Sequence, residues 1–341
     1  KYMTTILIVG AGFSGAVLAR QLVDNNPDIY IDLIDERDHI GGNAYDYTNK
    51  HGIRIHKYGP HLFHTNNEIV WNWISRYDEW VEYRHKVKAL LNDGRYVTLP
   101  VNKETKEIVG EENVIKTFFA PYTYKMWGKT IEELDPGIIK RIPIRDDDNE
   151  LYFPNDKYQF LPKDGYTAVF DEILSHKRIT VSLSTPYERQ MESAGYAHIF
   201  NAMPIDEYFN YKHGELPYRS IKFHNVDLPL KKVLPSTVVN FTHDGPYTRM
   251  TEWKNMAAHG ENNQWTSLTY EEPCDYRDNN MERYYPVKDI AGDNKRTYKK
   301  YKEMVKPNMT FIGRCGMYAY IDMHQAINSS LQTATKYLGE Q

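Results

Sequence analysis

The amino-acid sequence predicts an α/β fold that is built around a Rossmann-like dinucleotide-binding domain. A β-branched apolar run, residues 5–9, is followed by a glycine turn at Gly10, Gly12 and Gly15 and then by apolar residues at helical spacing. Asp35 ends the next apolar run, 20 residues after Gly15, where a carboxylate can accept hydrogen bonds from an adenosine ribose. The glycine pattern alone would also fit a packing turn, but strand, turn, helix and acid together predict a bound dinucleotide.

Each glycine has a separate task in such a turn. Gly10 makes the tight turn, Gly12 lets the backbone approach a pyrophosphate, and Gly15 lets the helix pack close to the strand. The N-terminus of the helix, with Phe13 and Ser14 in its first turn, then faces the phosphates.

The residues that follow the acid favour FAD over NAD as the dinucleotide. Glu36 and Arg37 come directly after it, and Gly42 and Asn43 add a second glycine turn, an arrangement similar to that of flavoproteins of the glutathione-reductase and amine-oxidase type. His61 follows a Gly-Pro turn of a kind that can border an isoalloxazine ring, although a purely structural histidine is an open alternative there. FAD is therefore the predicted cofactor.

The far end of the chain returns to the same domain. Residues 309–312 form a short apolar run that leads into Gly313 and Arg314, and apolar residues at helical spacing follow from about residue 323. A sheet that begins near one end of the chain and closes near the other must carry everything between as insertions. The sequence thus predicts a discontinuous FAD-binding domain with an inserted small helical domain and an inserted antiparallel β-sheet domain. The FAD-binding domain comprises residues 1–85, 165–212 and 305–341, the helical domain residues 103–145, and the β-sheet domain residues 86–102, 146–164 and 213–304.

Composition limits the possible partners. The 341 residues carry a formal net charge of -4, so no overall positive field would attract nucleic acid. No apolar run approaches the roughly 20 residues of a membrane span, and two cysteines without a signal segment favour a cytoplasmic location. No Cys or His cluster has the spacing of a metal site, so no metal is expected.

Short motifs then occur in a specific order along the chain. They are Trp127-Gly128, Ile139-Lys140-Arg141-Ile142-Pro143, Leu216-Pro217-Tyr218-Arg219, Pro246-Tyr247-Thr248-Arg249, Tyr284-Tyr285-Pro286 and Gly313-Arg314 through Tyr320-Ile321-Asp322-Met323. With them, the sequence resembles the bacterial UDP-galactopyranose mutases almost from end to end. The resemblance implies an enzyme with FAD, active in its reduced form, that interconverts the pyranose and furanose forms of UDP-galactose. The implied reaction has no net oxidation and passes through a sugar adduct on flavin N5.

The resemblance also implies the residues of the site. Those for catalysis are Arg141, Arg249, His61 and Asp322; those for the substrate are Phe118, Tyr122, Thr123, Trp127, Tyr152, Arg219, Asn240, Tyr285 and Tyr320. Those for the cofactor are Gly10, Gly12, Phe13, Ser14, Gly15, Asp35, Glu36, Arg37, Gly42, Asn43, His61, Arg314, Asp322 and Met323. Guanidinium groups match diphosphate oxygens, and aromatic rings match a planar base. Helix packing remains the alternative for Phe118, and a helix N-cap for Asp322.

One region departs from the family pattern. Only 15 residues separate Asn102 from Phe118, where members of the family carry a longer helical insertion that helps to form the dimer and shapes the nucleotide end of the cleft. A homodimer is therefore expected to be weakened or altered. UDP-N-acetylgalactosamine and a dTDP-linked 6-deoxy sugar are alternative substrates.

Two further classes of function compete with a mutase. An oxidoreductase of the amine-oxidase type would share the N-terminal fold, but would change the redox state of its substrate in every turnover. A nucleotide-sugar-binding protein that has lost catalysis would bind UDP without any turnover. Redox stoichiometry and turnover with reduced flavin separate the three hypotheses.

The glycine turn gives the first testable prediction. In Gly12→Val, the added side chain should block the close approach of the pyrophosphate, so the protein should purify without bound FAD and without yellow colour. The absorption spectrum of the purified protein measures this directly. A variant that retains a full complement of FAD would refute the interpretation of these glycines.

Overall fold

The computed structural model describes residues 3–134 and 136–341. Residues 1 and 2 of the predicted FAD-binding domain, and residue 135 of the predicted helical domain, lie outside these ranges. The strands are β1 Thr4–Val9, β2 Ile29–Ile34, β3 Asp46–Thr48, β4 Arg54–His56, β5 Phe63–Thr65, β6 Trp80–Glu82, β7 Val87–Leu90, β8 Tyr96–Leu99, β9 Tyr158–Pro162, β10 Ile179–Ser182, β11 His198–Asn201, β12 Tyr218–Leu228, β13 Val238–Phe241, β14 Arg249–Glu252, β15 Thr266–Asp275, β16 Tyr285–Pro286 and β17 Met309–Phe311. The α-helices are α1 Phe13–Asn25, α2 Glu68–Ile74, α3 Lys103–Val109, α4 Ala120–Trp127, α5 Pro136–Ile139, α6 Tyr166–Leu174, α7 Ile205–Tyr208, α8 Asp293–Lys302, α9 Gly313–Gly316 and α10 Met323–Gly339.

A parallel sheet forms the centre of the Rossmann-like part of the molecule. Its strand order is β10-β2-β1-β11-β17, and every neighbouring pair runs parallel. Alternate residues of β1 point to opposite faces of the sheet. Ile6 and Ile8 pack with α1, α6 and α10 on one face, whereas Leu7 and Val9 pack with Tyr208 on the other. The predicted α/β class is confirmed, and the sheet joins strands from both ends of the chain.

A second, larger sheet has the strand order β16-β12-β15-β14-β13-β7-β8. It is mixed, whereas the sequence predicted an antiparallel sheet, because β13 pairs in parallel with β7. A long stretch of chain separates these two strands, and a parallel pair requires such a crossover rather than a hairpin. Strand β9, which the sequence prediction grouped with this sheet, pairs instead with β5 and β6 in a separate sheet.

The helical insertion packs on the β7–β8 edge of the larger sheet. It begins with α3, continues through a π-helical turn at Ile115–Phe119, and leads directly into α4. Phe118 packs in a hydrophobic cluster with Val97, Val101 and Val114. This cluster anchors α4, and α4 in turn carries three of the predicted substrate residues.

A buried histidine pair lies beneath the loop that carries His61. The Nε2 atoms of His56 and His259 are 2.8 Å apart, and the backbone N–H of His61 donates to Nδ1 of His56 at 2.9 Å. Because Nδ1 of His56 accepts, its proton lies on Nε2 and is donated to His259. Burial lowers the pKa of His259 to about 4 and that of His56 well below its usual value. Both rings are therefore neutral at pH 7, and together they fix the start of the loop.

The neutral histidine pair should make the folded protein less stable as the pH is lowered. Between pH 6.5 and about 4, His259 takes up a proton in the unfolded chain but not in the folded one, so the free energy of unfolding should fall as the pH is lowered. His259→Gln keeps an acceptor for His56 without titrating. The free energy of unfolding of this variant should therefore decrease by about 1–2 kcal/mol less than that of wild type between pH 7 and pH 5, as measured by urea unfolding.

The control is the same change at the exposed His213, which should leave the pH dependence of stability at its wild-type size. If His259→Gln and wild type lost equal stability on acidification, the neutral pair would not be the source of the sensitivity.

Candidate active site

The glycine turn forms a cradle that has no room for a side chain at Gly10, Gly15 or Gly42, whereas a Cβ on Gly12 would make only an ordinary contact, 3.5 Å from Cα of Gly42. A Cβ atom on Gly15 would lie 1.8 Å from the carbonyl oxygen of Gly10, and a Cβ on Gly42, whose φ is +55°, would lie 2.8 Å from Cα of Gly12. Asp35 accepts the backbone N–H of Ala11 at 2.8 Å and so joins the end of β2 to the turn. The close approach of backbone segments and the carboxylate beside them fit the pyrophosphate and ribose of a dinucleotide.

The other predicted cofactor residues have different surroundings. Phe13 turns its ring into the core, where it packs on Phe170 at 4.5 Å, so only its backbone faces the turn. Ser14 lies beside Gly313, since a Cβ on that glycine would be 3.4 Å from the Ser14 hydroxyl. Glu36 is exposed, although partial desolvation, followed by the charge of Glu207, raises its pKa above the usual value.

Arg37 links the two parts of the molecule. Its guanidinium donates to Asn43 at 3.0 Å and to Glu282 at 2.9 Å, and it lies over the ring of Tyr58 at 4.2 Å. Glu282 comes shortly before β16, so this ion pair ties the cofactor-binding turn to the larger sheet. The structure brings Arg37 and Asn43 together as the sequence predicted, whereas Glu282 was not predicted as part of the site.

A row of polar side chains crosses the face of the larger sheet. Asn240 on β13 stands opposite Arg249 on β14, which stands opposite Glu271 on β15. Nε of Arg249 donates to Oε2 of Glu271 at 2.6 Å, and the Glu271 side chain is buried. Burial alone would lower the pKa of Arg249, but the Glu271 carboxylate more than offsets it and raises that pKa above its usual range. The pair leaves the two terminal nitrogens of Arg249 available for an anion.

Tyrosines with unusually exposed rings surround Arg249. The exposed fractions of Tyr122, Tyr152 and Tyr320 are 43%, 39% and 51%. Across the cleft, Tyr122 interacts electrostatically with Arg249 and with Tyr152. Tyr285 stacks on Tyr320 at 5.4 Å, and burial, followed by the charge of Tyr320, raises its pKa to about 12. The Tyr285 phenol is therefore a protonated donor at pH 7 beside the Arg249 guanidinium.

Arg314 supports this group of tyrosines through contacts with neighbouring backbone and with their rings. It donates to the carbonyl oxygens of Tyr284 and Ile321, each at 2.7 Å, and lies over the ring of Tyr320 at 4.8 Å. These bonds hold in place the two segments that carry Tyr285 and Tyr320. Trp127, at the end of α4, meets Tyr285 edge to face at 6.5 Å.

His61 lies in the wall of the same cleft. Its Nδ1 is 2.8 Å from the carbonyl oxygen of Gly59, so Nδ1 carries the proton and Nε2 is an acceptor. Burial, together with the charges of Arg314 and Arg249, lowers the pKa of His61 to about 4. The ring is therefore neutral at pH 7 and sits beside two guanidinium groups and the Asp322 carboxylate.

Asp322 is the N-cap of α10. Its carboxylate accepts a backbone N–H of the first turn, and Gln325 bonds back to the backbone N–H of Asp322 at 2.8 Å, which completes a capping box. Met323 begins the helix and packs against the core of the parallel sheet. The capping alternative raised by the sequence is thus present, and the charge of Asp322 also acts on His61 and Tyr320.

Several predicted residues lie apart from the cluster around Arg249. Arg219 donates to the carbonyl oxygens of Met126 at 2.6 Å and Lys125 at 3.2 Å, so it binds the C-terminal end of α4. Arg141 is exposed in the turn that follows α5, and Thr123 is buried on α4. Phe118 packs in the hydrophobic cluster already described. The geometry therefore gives Arg219 and Phe118 a part in positioning α4 and its aromatic residues.

Glu271 is a further residue that sequence reasoning missed. The available signal was an acid directly after the neutral run Thr266–Tyr270 of a strand, because a buried carboxylate requires a partner. Its partner lies 22 residues away on the neighbouring strand, and only the strand register identifies it.

The fold and the cleft define the class of the protein: a Rossmann-like α/β protein with a cleft in which the Arg249 guanidinium lies among several phenols. Residues 117–320 match the family model described as UDP-galactopyranose mutase, and residues 8–77 match that of an NAD(P)-binding Rossmann-like domain. The chain is 34% identical to a probable UDP-galactopyranose mutase of Klebsiella pneumoniae, over 98% of this chain and 94% of the relative. The chain belongs to the UDP-galactopyranose mutase family, and it is an isomerase, a nucleotide-sugar mutase.

Two further similarities add detail. The chain is 33% identical to the dTDP-fucopyranose mutase of Escherichia coli, over 98% of this chain and 99% of the relative. A crystal structure of reduced UDP-galactopyranose mutase superimposes with a TM-score of 0.76 at 15% identity, over 100% of this chain and 95% of the other. At that identity, the superposition supports the fold alone. Within the described residues, no helix has the length and apolar character to cross a membrane.

The Arg249–Glu271 pair gives a prediction about stability. Arg249→Met leaves the buried Glu271 carboxylate without its cation, so the free energy of unfolding should fall by about 1–3 kcal/mol. The double variant Arg249→Met/Glu271→Gln leaves no charge buried and should recover part of this loss. Urea unfolding of wild type, both single variants and the double variant measures the coupling.

The more exposed pair Lys88–Glu150, at 3.0 Å, provides the matched control, and the same cycle there should give a coupling below about 1 kcal/mol. Additive effects of the Arg249 and Glu271 substitutions would contradict the assignment of a coupled pair.

Proposed function

We propose that the chain uses reduced FAD to interconvert the pyranose and furanose forms of UDP-galactose. The observation that carries the proposal is the cleft in which Arg249, oriented by Glu271, faces a group of exposed tyrosines. A diphosphate leaving group develops negative charge as its bond to the sugar breaks. A guanidinium and protonated phenols that are held in place before the reaction stabilise that charge without reorganisation.

The tyrosines have a second use in this proposal. Desolvation within the cleft raises the pKa of Tyr122, Tyr285 and Tyr320, even though the Tyr122 and Tyr320 side chains are in part exposed, so each phenol keeps its proton at pH 7. Each therefore donates to phosphate oxygens and presents a ring face to the nucleotide sugar. Trp127, which meets Tyr285 at the end of α4, extends this aromatic surface and would receive the planar base.

The residues proposed to hold FAD are those of the glycine cradle, with Asp35 at the ribose and Arg37 beside them. Bound reduced FAD supplies an electron-rich centre that permits covalent catalysis without a side-chain nucleophile. His61 is neutral and offers an acceptor at Nε2, so it can receive a hydrogen bond from a sugar or ring N–H without adding charge. Asp322 provides a carboxylate at the same end of the cleft.

A dTDP-linked 6-deoxy sugar is the second candidate substrate. The chain is about as similar to the dTDP-fucopyranose mutase as to the UDP-galactopyranose mutase, at 33% and 34% identity. Residues that differ at the nucleotide end of the cleft would decide between these two substrates. The short helical insertion lies at that end. UDP-N-acetylgalactosamine is a third possibility for the same site, and an oxidoreductase activity is the alternative of another class.

The short insertion also bears on assembly. Here α3, the π-helical turn and α4 pack on the edge of the larger sheet through their own apolar cluster. We propose that any homodimer is weaker than, or differs from, one built on a longer helical domain. Sedimentation velocity over a range of concentrations measures this directly.

The proposed function is tested by turnover under reducing conditions. The purified protein is reduced with dithionite and given UDP-galactopyranose, UDP-N-acetylgalactosamine or a dTDP-linked 6-deoxy sugar in separate reactions, and furanose formation is followed by chromatography. Conversion that requires reduction but consumes no reducing equivalents is the expected result. Stoichiometric oxidation or reduction of the substrate would instead identify an oxidoreductase.

Arg249→Ala tests the phosphate role within that assay. Turnover should fall by roughly 10²–10³-fold, as expected when a donor to a developing charge is removed. The flavin spectrum should remain that of wild type, because different residues are proposed to hold FAD. Arg277→Ala is the control, since Arg277 is an exposed arginine paired with Asp275 outside the cleft. Normal turnover in Arg249→Ala would refute the assignment.

A further inference from the structure

We propose that His64, Asp322 and His324 form a binding site for a divalent transition metal ion such as Zn²⁺ at the edge of the cleft. Each residue offers one ligand atom, and these atoms all lie within 4.8 Å of one another. His64 belongs to β5, and the other two residues belong to the beginning of α10. More than 250 residues separate the two segments, so no spacing pattern in the sequence could have indicated the site, and none was expected.

The ligand set selects the class of metal. Two imidazole nitrogens and one carboxylate oxygen suit Zn²⁺ and its transition-metal neighbours, and leave a coordination position for water. Mg²⁺ and Ca²⁺ prefer sites made entirely of oxygen ligands, so they fit this cluster poorly. The distances are those of side chains that need only small rotations to converge on one ion.

His64 is already oriented as a metal ligand. Its Nδ1 lies 2.5 Å from Oδ2 of Asp156, and the second oxygen of Asp156 accepts from Asn66 at 3.2 Å. The ring also stacks on Phe153, with centroids 3.6 Å apart. A carboxylate that accepts the proton of one ring nitrogen leaves the other nitrogen as a ligand, which is the usual arrangement behind metal-binding histidines.

His324 and Asp322 complete the set from α10. The His324 ring lies 5.2 Å from that of His64, so the two imidazoles can reach a common ion. Asp322 uses part of its carboxylate to cap α10. A carboxylate has about four lone-pair positions, so it can cap the helix and also bind an ion.

A metal ion bound at this site would affect the cleft through the Asp322 carboxylate. The charge of that carboxylate acts on His61 and Tyr320 on one side and on His324 on the other. A bound dication would neutralise it and hold it toward the metal. If the proposed mutase function is correct, on which this step rests, Zn²⁺ is therefore a reversible inhibitor of turnover.

Binding is tested on untagged full-length protein that has been stripped with a chelator. Equilibrium dialysis against buffered Zn²⁺, with elemental analysis of both compartments, should show one Zn²⁺ per chain, and Mg²⁺ at the same concentration should not bind. His324→Ala should weaken Zn²⁺ binding at least tenfold. Asp156→Asn, which keeps every ligand but removes the carboxylate behind His64, should weaken it by about 10–100-fold.

The matched control is His224→Ala. His224 also pairs with a carboxylate, Glu272, at 2.8 Å, but it lies outside the cluster, so Zn²⁺ binding should be unchanged. Circular dichroism confirms that each variant is folded. The absence of a bound Zn²⁺ in wild type, or equal affinity in wild type and His324→Ala, would overturn the proposal.

The link to the cleft has its own readout. For each protein, the ratio of turnover with and without saturating free Zn²⁺ is measured, and a chelator is then added. Wild type and His224→Ala should be inhibited and then recover, whereas His324→Ala should be inhibited at least tenfold less sensitively. Full Zn²⁺ occupancy with unchanged turnover would overturn the link. Failure of the mutase function would leave the dialysis result intact, so the two failures are distinguishable.

Discussion

The buried ion pair between Arg249 and Glu271 is the interaction around which the cleft is organised. A carboxylate in the middle of a strand is costly to bury unless a cation is held against it, and Arg249 on the neighbouring strand meets this requirement through Nε alone. This pair does not require the terminal nitrogens of Arg249. The same pair therefore satisfies the interior of the larger sheet and presents a fixed positive charge to an anionic ligand.

The other elements of the cleft come from distant parts of the chain and are joined by a few directional contacts. Arg37 ties the cofactor-binding turn to Glu282, Arg314 holds the segments before β16 and α10, and Arg219 binds the end of α4. In each case a guanidinium donates to two groups at once, which fixes orientation as well as distance. Arginine thus serves as a structural connector at these three places, whereas Arg249 pairs with Glu271 through Nε.

Histidines near the cleft are held in a neutral state by burial. His56 and His259 share a hydrogen bond below the loop, and His61 above it exposes an acceptor between two guanidinium groups. A protonated ring in that position would be repelled by both guanidinium groups. Neutral imidazoles at His56, His61 and His259 therefore suit a cleft whose positive charge comes from arginine.

The sequence by itself determined the parallel-sheet domain, its discontinuity and the family. Local spacing carries those signals, since a glycine turn between a strand and a helix, an acid at a fixed distance and short ordered motifs are all read along the chain. Tertiary structure alone decided that β13 pairs in parallel with β7, that Arg219 and Phe118 position α4, that Glu271 orients Arg249, and that His64 meets His324. Each of these depends on strand register or on contacts between segments far apart in sequence. Such contacts leave no periodic trace in a single chain, because their partners are chosen by the packing of the whole molecule.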